Sequence, residues 1–189
     1  MRLAAVAVAC ALLCARTAAA DKLPSGAIGP VFGLVSGTGA DAKRLGFGVY
    51  TFGLQAAWSP MQTENHVGWS VRWSTMFGWF YGGNAARIDS TLRTVQMDLS
   101  AGGRFRPWPS PRRYLTARVG AQLFRSNQPI ALAGEADTMS EREFVGGVAT
   151  VGFEQYLGST LLSIDVRYGL VPEGPKHVAL LVGIALTGP

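Results

Sequence analysis

Apolar and polar residues alternate with a period of two along much of this chain. The pattern is clearest over residues 67–79, where one parity reads Val, Trp, Val, Trp, Thr, Phe, Trp and the other reads Gly, Ser, Arg, Ser, Met, Gly. Successive side chains of a β-strand point to opposite faces of the sheet. The alternation therefore predicts a strand with one apolar and one polar face.

The same alternation recurs in four further segments, residues 95–101, 115–123, 162–170 and 178–186. Across the five segments, none of the 26 residues of apolar parity is charged, although 15% of the whole chain is charged. A transmembrane β-barrel separates its side chains in this way, because its outer face meets lipid and its inner face is polar. Each segment has roughly the length that a tilted strand needs to cross the hydrocarbon core.

Three more strands are predicted from weaker patterns, over residues 28–36, 46–58 and 144–157. The first contains Pro30, which cannot donate a hydrogen bond to a neighbouring strand. Closure into a barrel is required in lipid, because the backbone groups of an open edge would have no partners there. The predicted fold is all-β: a closed antiparallel up-and-down transmembrane β-barrel of about eight strands.

Residues 1–20 are predicted to be a cleavable signal peptide, and residues 21–189 the barrel domain. Arg2 supplies the positive start, residues 3–14 are apolar, and the alanines at 18–20 form an A-x-A cleavage pattern. An uncleaved membrane anchor is the alternative. Twelve apolar residues are too few to cross about 30 Å of hydrocarbon as a helix.

Removal of this leader changes the cysteine content and the charge. Cys10 and Cys14 both lie within it, so no disulfide, thiolate metal site or cysteine nucleophile is expected. Lipid attachment at Cys14 is disfavoured by the bulky Leu13 before it. Without Arg2 and Arg16, the 17 basic residues become 15 against 12 acidic ones, a net charge of +3. No basic stripe with interleaved aromatics follows, so no nucleic-acid partner is expected.

Loop lengths predict the orientation of the barrel. With the N-terminus in the periplasm, loops over residues 37–44, 80–91, 126–142 and 171–176 face outward, and turns over residues 59–65, 104–113 and 158–160 face the periplasm. Outer-membrane barrels have short periplasmic turns and longer outward loops. The longest predicted loop, residues 126–142, faces outward and fits this orientation.

Two parts of the pattern resemble a known family. Residues 94–105, Thr-Val-Gln-Met-Asp-Leu-Ser-Ala-Gly-Gly-Arg-Phe, with the returning residues 114–124, are similar to a central hairpin of small outer-membrane β-barrels of the outer-membrane protein A and opacity-protein kind. Residues 161–168 and 178–186 are similar to the last two strands of these barrels. The resemblance implies an eight-stranded, monomeric barrel without enzymatic activity in the bacterial outer membrane, reached by export through the periplasm.

The resemblance also implies partners. Outer-membrane lipids and lipopolysaccharide would surround the protein, and the barrel-assembly machinery would insert it. Members of the family usually end on an aromatic residue that this machinery reads. This sequence instead ends Leu-Thr-Gly-Pro at residues 186–189.

The inward parity carries charges of both signs. The residues predicted to form a polar network inside the barrel are Arg72, Asp98, Arg118, Glu154, Asp165 and Arg167. The interior of a barrel with eight strands is just wide enough to be filled by side chains, and charges there must be paired because their desolvation is costly. An ion-pair network that plugs and stabilises the barrel is the favoured interpretation, and a narrow ion or proton path is the alternative.

Aromatic residues near the predicted strand ends are expected to form girdles at the two membrane interfaces. The candidates are Trp58, Trp79, Trp108, Tyr114 and Tyr156. The turn over residues 104–113 adds four arginines and three prolines. Its prolines stiffen it, and its arginines are expected to meet anionic head groups of the inner leaflet.

No catalytic, cofactor-binding or metal-ligating set is predicted. His66 and His177, the only histidines, come with no convincing nucleophile and orienting acid. The acidic loop over residues 127–143 lacks the spacing of a calcium loop. Glycine-rich pieces lie in predicted strands rather than before helices, so no phosphate-binding motif is expected.

The favoured function is that of a non-enzymatic outer-membrane barrel that displays surface loops. The alternatives are a narrow channel or small-solute carrier, an outer-membrane enzyme that modifies lipid with His66 or His177, and a soluble periplasmic barrel of lipocalin type. In the lipocalin case the apolar parity would face inward and the polar parity outward.

Overall fold

The described residues form eight β-strands that close into one barrel. The computed structural model describes residues 26–38, 49–59, 66–81, 91–110, 112–130, 138–172 and 176–188. The strands are β1 (Gly26–Gly37), β2 (Val49–Trp58), β3 (Val67–Tyr81), β4 (Thr91–Phe105), β5 (Arg113–Ile130), β6 (Thr138–Leu157), β7 (Thr160–Leu170) and β8 (His177–Thr187). Each strand is antiparallel to the next, and β8 pairs with β1. The predicted closed, antiparallel barrel of eight strands is confirmed.

Some predictions fall outside the described residues. They are the signal peptide over residues 1–20, the start of the second strand over residues 46–48, most of the turn over residues 59–65, and most of the outward loops. Nowhere in the described ranges is there a helix long and apolar enough to cross a membrane.

Several strands exceed the predicted segments by two or three residues, and β4, β5 and β6 exceed them by at least six. The loop predicted at residues 126–142 is wrong at both ends, because residues 126–130 of β5 pair with residues 138–142 of β6. The turn predicted at residues 104–113 is also shorter, since β4 ends at Phe105 and β5 begins at Arg113. Backbone pairing continues past the apolar belt, where polar residues on both faces of a strand hide the alternation.

The two parities of the strands face opposite sides of the barrel, as the alternation predicts. Large apolar side chains lie on the outer face, among them Val67 and Val119, each 68% exposed. Arginines and carboxylates such as Arg72 and Asp98 are buried inside. The lipocalin-type alternative requires the opposite arrangement, so this orientation excludes it.

Pro30 lies inside β1, the strand with the weakest sequence pattern. β1 pairs with β2 along its length, with Pro30 opposite Leu54. On the other side, the paired positions of β1 and β8 skip from Ile28 to Val31, where Pro30 has no N–H to donate. The barrel therefore accommodates the proline by leaving one ladder open at that point.

The turn between β6 and β7 is tight. Gly158 has a φ of 62°, in the left-handed region that glycine enters without steric cost. The turn between β4 and β5, over residues 106–112, lies at the same end of the barrel. This end is called the turn end below, and the opposite end is called the loop end.

We expect Val119→Lys to lower the free energy of unfolding from phospholipid vesicles by about 2–4 kcal/mol, because it places an ammonium group at the centre of the outer face of β5, in hydrocarbon. Val67→Lys is the matched control. Val67 is equally exposed but begins β3 at the turn end, so its loss should be about 0–1 kcal/mol. Denaturant titration followed by tryptophan fluorescence measures both, and equal losses would contradict a lipid-facing belt.

Candidate functional site

All six charged residues predicted for the interior lie inside the barrel. Strands β3 to β7 each contribute at least one of them, and none is more than 3% exposed. The described inner faces of β8, β1 and β2 carry no Arg, Lys, Asp or Glu. Their uncharged residues, such as Ala57 and Ala179, leave room for long side chains from the opposite wall.

Two arginines and two carboxylates form a closed set of ion pairs, called the central cluster: Arg72, Arg118, Glu154 and Asp165. Glu154 Oε1 lies 2.6 Å from Arg72 Nη2 and 3.0 Å from Arg118 Nη1. Asp165 Oδ1 lies 2.6 Å from Arg118 Nη2, and Asp165 Oδ2 also pairs with Arg72 Nη1. Each charge thus faces two charges of opposite sign, which offsets the desolvation that a single buried pair would suffer.

The central cluster crosses the lumen. β3 and β7 are four strands apart in a ring of eight, so Arg72 and Asp165 start from opposite walls. Arg72 Nη1 also lies 3.5 Å from Ser163 Oγ, and Gln55 Nε2 donates to the same oxygen at 3.4 Å. Charged and polar side chains from β2, β3, β5, β6 and β7 therefore meet at one level inside the barrel.

Gly152 leaves space for the contacts of Asp165 with Arg72 and Arg118. It pairs with Asp165 across β6 and β7, and a Cβ atom at this position would overlap the Asp165 carboxylate. The absence of a side chain allows the carboxylate to turn inward to Arg72 and Arg118.

A second ion pair lies beside the central cluster. Arg167 Nη1 on β7 lies 2.5 Å from Asp98 Oδ2 on β4. Ser74 Oγ donates to the same carboxylate oxygen at 2.5 Å and accepts from Arg167 Nη2 at 3.1 Å. Three strands are therefore joined through one carboxylate oxygen.

Arg104 is an interior residue that the sequence analysis missed. It was predicted to reach head groups, yet its side chain is fully buried and Nη2 lies 3.2 Å from Glu154 Oε2. Its Cζ atom lies 3.8 Å from the ring centroid of Tyr114 and 5.0 Å from that of Tyr156, within the range of cation–π attraction. Its sequence position carried the signal, because Arg104 shares the inward parity of Asp98 in the same strand.

Tyr114 and Tyr156 are corrections to the predicted aromatic girdle. Both side chains lie inside the barrel, at most 4% exposed, with their rings edge-on at 6.2 Å. Parity within the strand decides the face of a side chain. Tyr114 shares the parity of Arg118, and Tyr156 shares the parity of Glu154, so both rings point inward with these charges.

The tryptophans predicted for the girdle lie differently. Trp58 is half-exposed on the outer face near the turn end, with its ring 4.8 Å from that of Trp69. Trp108 is half-buried in the β4–β5 turn, edge-on to Phe153 at 5.7 Å. The side chain of Trp79 lies outside the described part of the structure.

The two histidines lie at opposite ends of the barrel. His177 is fully buried at the loop end, with Nε2 at 3.3 Å from Gln122 Nε2 and its ring 5.6 Å from Phe124. His66, at the turn end, has Nδ1 at 3.3 Å from the carbonyl oxygen of Arg106. Within the described ranges, no group of three or more His, Cys, Asp or Glu side chains could hold a metal ion.

Buried arginines outnumber buried carboxylates among the described interior residues. Four of the arginines take part in ion pairs, at positions 72, 104, 118 and 167, with the carboxylates of Asp98, Glu154 and Asp165. The alternation predicts three charges of each sign. Arg104 and Arg106, which is also buried, are the additional cations, and the two tyrosine rings beside Arg104 supply part of the missing negative potential.

Comparisons with solved structures identify the fold. Ail, the attachment invasion locus protein of Yersinia pestis, superposes with a TM-score of 0.60 at 14% identity, covering 88% of this chain and 99% of Ail. Neisserial surface protein A has a TM-score of 0.51 at 14% identity, covering 86% and 97%. The outer membrane protein OprG of Pseudomonas aeruginosa has a TM-score of 0.51 at 13% identity, covering 89% and 95%.

Sequence comparisons add no relative. No protein-family model matches the chain, and no curated protein matches it. The structural likeness shows the fold alone, that of small outer-membrane β-barrels with eight strands, and this is the fold that the sequence resemblance implies.

We expect Glu154→Gln to lower the free energy of unfolding by about 3–5 kcal/mol, because it leaves three buried guanidinium groups without their shared carboxylate. Glu143→Gln is the matched control. Its partner Arg125 lies 3.5 Å away in an exposed pair, so the loss should be about 0–1 kcal/mol. Denaturant titration in the same vesicles compares the two, and a Glu154→Gln loss no larger than the control would show that the central cluster does not stabilise the barrel.

Proposed function

We propose that this chain is a non-enzymatic outer-membrane β-barrel that acts as a sealed scaffold for surface interactions. The observation that carries the proposal is the central cluster, in which Arg72 reaches carboxylates on β6 and β7 across the lumen. Side chains fixed in this way fill the space through which a solute would pass. Breaking them apart would expose unpaired charges in a narrow interior, which is strongly unfavourable.

The outer face supports the proposed location. Large apolar side chains on all eight strands are exposed, among them Ile28, Leu99 and Val166. A belt of this extent would be unstable in water, because contiguous apolar patches on soluble proteins rarely exceed a few hundred Å². Lipid removes this penalty, which supports the proposed location in the outer membrane. Export through the periplasm, as predicted from the leader, is part of the same proposal.

The β5–β6 hairpin supports the proposed surface role. β6 begins at Thr138 but pairs with β7 only from Gly147 onward, whereas its pairing with β5 continues to Ile130. The hairpin therefore stands above the rim formed by β7 and β8 at the loop end. A projecting antiparallel pair is suited to contacts with partners at the cell surface, and a barrel of this fold, Ail, is named for attachment.

A narrow channel is the second candidate, and one observation favours it. Polar side chains line the interior continuously, from Arg104 near the turn end through the central cluster to Gln122 and His177 at the loop end. Such a line could carry ions or protons if the ion pairs opened. A conductance measurement separates the two candidates.

We expect the wild-type protein to give no stepwise conductance in planar lipid bilayers, even at high protein load, because the central cluster closes the lumen. Conductance steps that are lost or altered by Arg72→Ala or Arg118→Ala would reject the sealed scaffold and establish the channel. The Glu143→Gln variant serves as a control for a charge change outside the lumen.

We expect the protein to remain in the outer-membrane fraction after washing with urea, and to migrate differently in electrophoresis with and without boiling. A closed barrel embedded in lipid resists urea and keeps its compact shape in detergent until it is heated. Release by urea without a shift in mobility would contradict the proposed location.

A further inference from the structure

The rim between β4 and β5 carries basic and aromatic side chains that the scaffold role does not use. Arg112 and Arg113 are both exposed, and neither has a carboxylate partner among the described residues. Trp108, in the same turn, packs edge-on against Phe153 on the outer face of β6. The turn therefore folds back onto the barrel wall and holds two exposed guanidinium groups beside it.

Hydrogen bonds anchor the backbone at the two ends of this turn. The carbonyl oxygen of Arg112 accepts from the N–H of Tyr156 at 2.9 Å, and the N–H of Arg112 donates to Ser110 Oγ at 3.4 Å. At the start of the turn, the N–H of Arg106 donates to the carbonyl oxygen of His66 at 2.8 Å. Because both ends of the turn are already held in place, binding of one ligand by both arginines costs the protein less conformational entropy.

The basic rim lies next to the apolar belt. Arg113 pairs with Gln155, and two residues further along β5, Leu115 pairs with Phe153. Arg113 and Leu115 both face outward, and the rise of a strand separates their Cα atoms by about 7 Å. A molecule with a negative head and an apolar tail fits this change from basic to apolar surface. A soluble polyanion would make no contact with Leu115 and Phe153.

We propose that this rim binds an anionic phospholipid of the inner leaflet, with Arg112 and Arg113 on the phosphate. Guanidinium groups bind phosphate oxygens through charge-assisted, bidentate hydrogen bonds. Trp108 lies at the level of the glycerol backbone, and an acyl chain packs along Leu115 and Phe153. The inference rests on the proposed location of the outer face in lipid and on the predicted orientation, in which the turn end faces the periplasm.

Charge complementarity supports the choice of an anionic lipid. Among the described residues, the carboxylates of Asp98, Glu154 and Asp165 are buried, and Glu141 and Glu143 lie in the part of β6 at the loop end. The described turn-end surface therefore carries cations without an exposed carboxylate beside them. Each arginine near a membrane surface strengthens the attraction of anionic lipid by about fivefold.

The test is native mass spectrometry of detergent-solubilised protein mixed with equal amounts of phosphatidylglycerol and phosphatidylcholine of matched chains. The wild-type protein should retain phosphatidylglycerol with a preference of roughly tenfold or more, and Arg112→Gln/Arg113→Gln should reduce it to near equality. Arg113→Gln alone should give an intermediate value, and it replaces the double variant if that one does not fold. Arg125→Gln, which removes an exposed arginine at the loop end, should keep the wild-type preference.

Two further measurements distinguish a lipid site from a simple phosphate site and from a misfolded barrel. Glycerophosphoglycerol, the head group without acyl chains, should not compete at the same concentration, and equal competition would mean that a phosphate site without a lipid role has been found. A preference unchanged in Arg113→Gln, or lowered equally in Arg125→Gln, would overturn the inference. Each sample is checked for its shift in mobility on boiling. A folded wild-type barrel without a lipid preference would contradict this inference alone. The absence of a shift in all samples would contradict the proposed location.

Discussion

Charge pairing across the lumen is the constraint on which the rest of this structure depends. A barrel with eight strands leaves an interior that side chains can fill, and this chain fills it with guanidinium and carboxylate groups. Such groups are tolerated only when each faces opposite charge at hydrogen-bond distance. Arg72 and Arg118 meet this requirement because both contact the same two carboxylates, which in turn requires β3, β5, β6 and β7 to keep one register.

The constraint explains where the small residues lie. Long arginine side chains from one wall need space at the opposite wall. The described inner faces of β8, β1 and β2 provide it, because they carry no charged residue and many small ones, such as Ala57 and Ala179. Gly152 does the same within the charged wall, since a side chain there would displace Asp165. The apolar outer face imposes no such pairing, so its residues need only be large and uncharged. The inward residues of a strand must therefore pair their charges, whereas the outward residues of the same strand need only be large and uncharged.

This difference determines how much the sequence could predict. Parity alone assigned the faces of the strands and the six charged residues that the structure places inside, because alternation is local. Tyr114 and Tyr156 lie near strand ends, where an aromatic girdle is expected, but their parity places both rings inside. Arg104 was missed because the turn was predicted to start there, although β4 continues to Phe105. Which arginine meets which carboxylate was beyond prediction, since contacts between strands four apart depend on the closure and stagger of the barrel.

Tyr156 joins the interior of the barrel to the turn-end rim. Its ring lies 5.0 Å from the guanidinium carbon of Arg104, inside the barrel. Its backbone N–H binds the carbonyl oxygen of Arg112, which begins the exposed arginine pair. The packing around Arg104 and the backbone position of Arg112 therefore both depend on the end of β6. The sealed interior and the basic rim thus share one strand end, through the side chain and the backbone of the same residue.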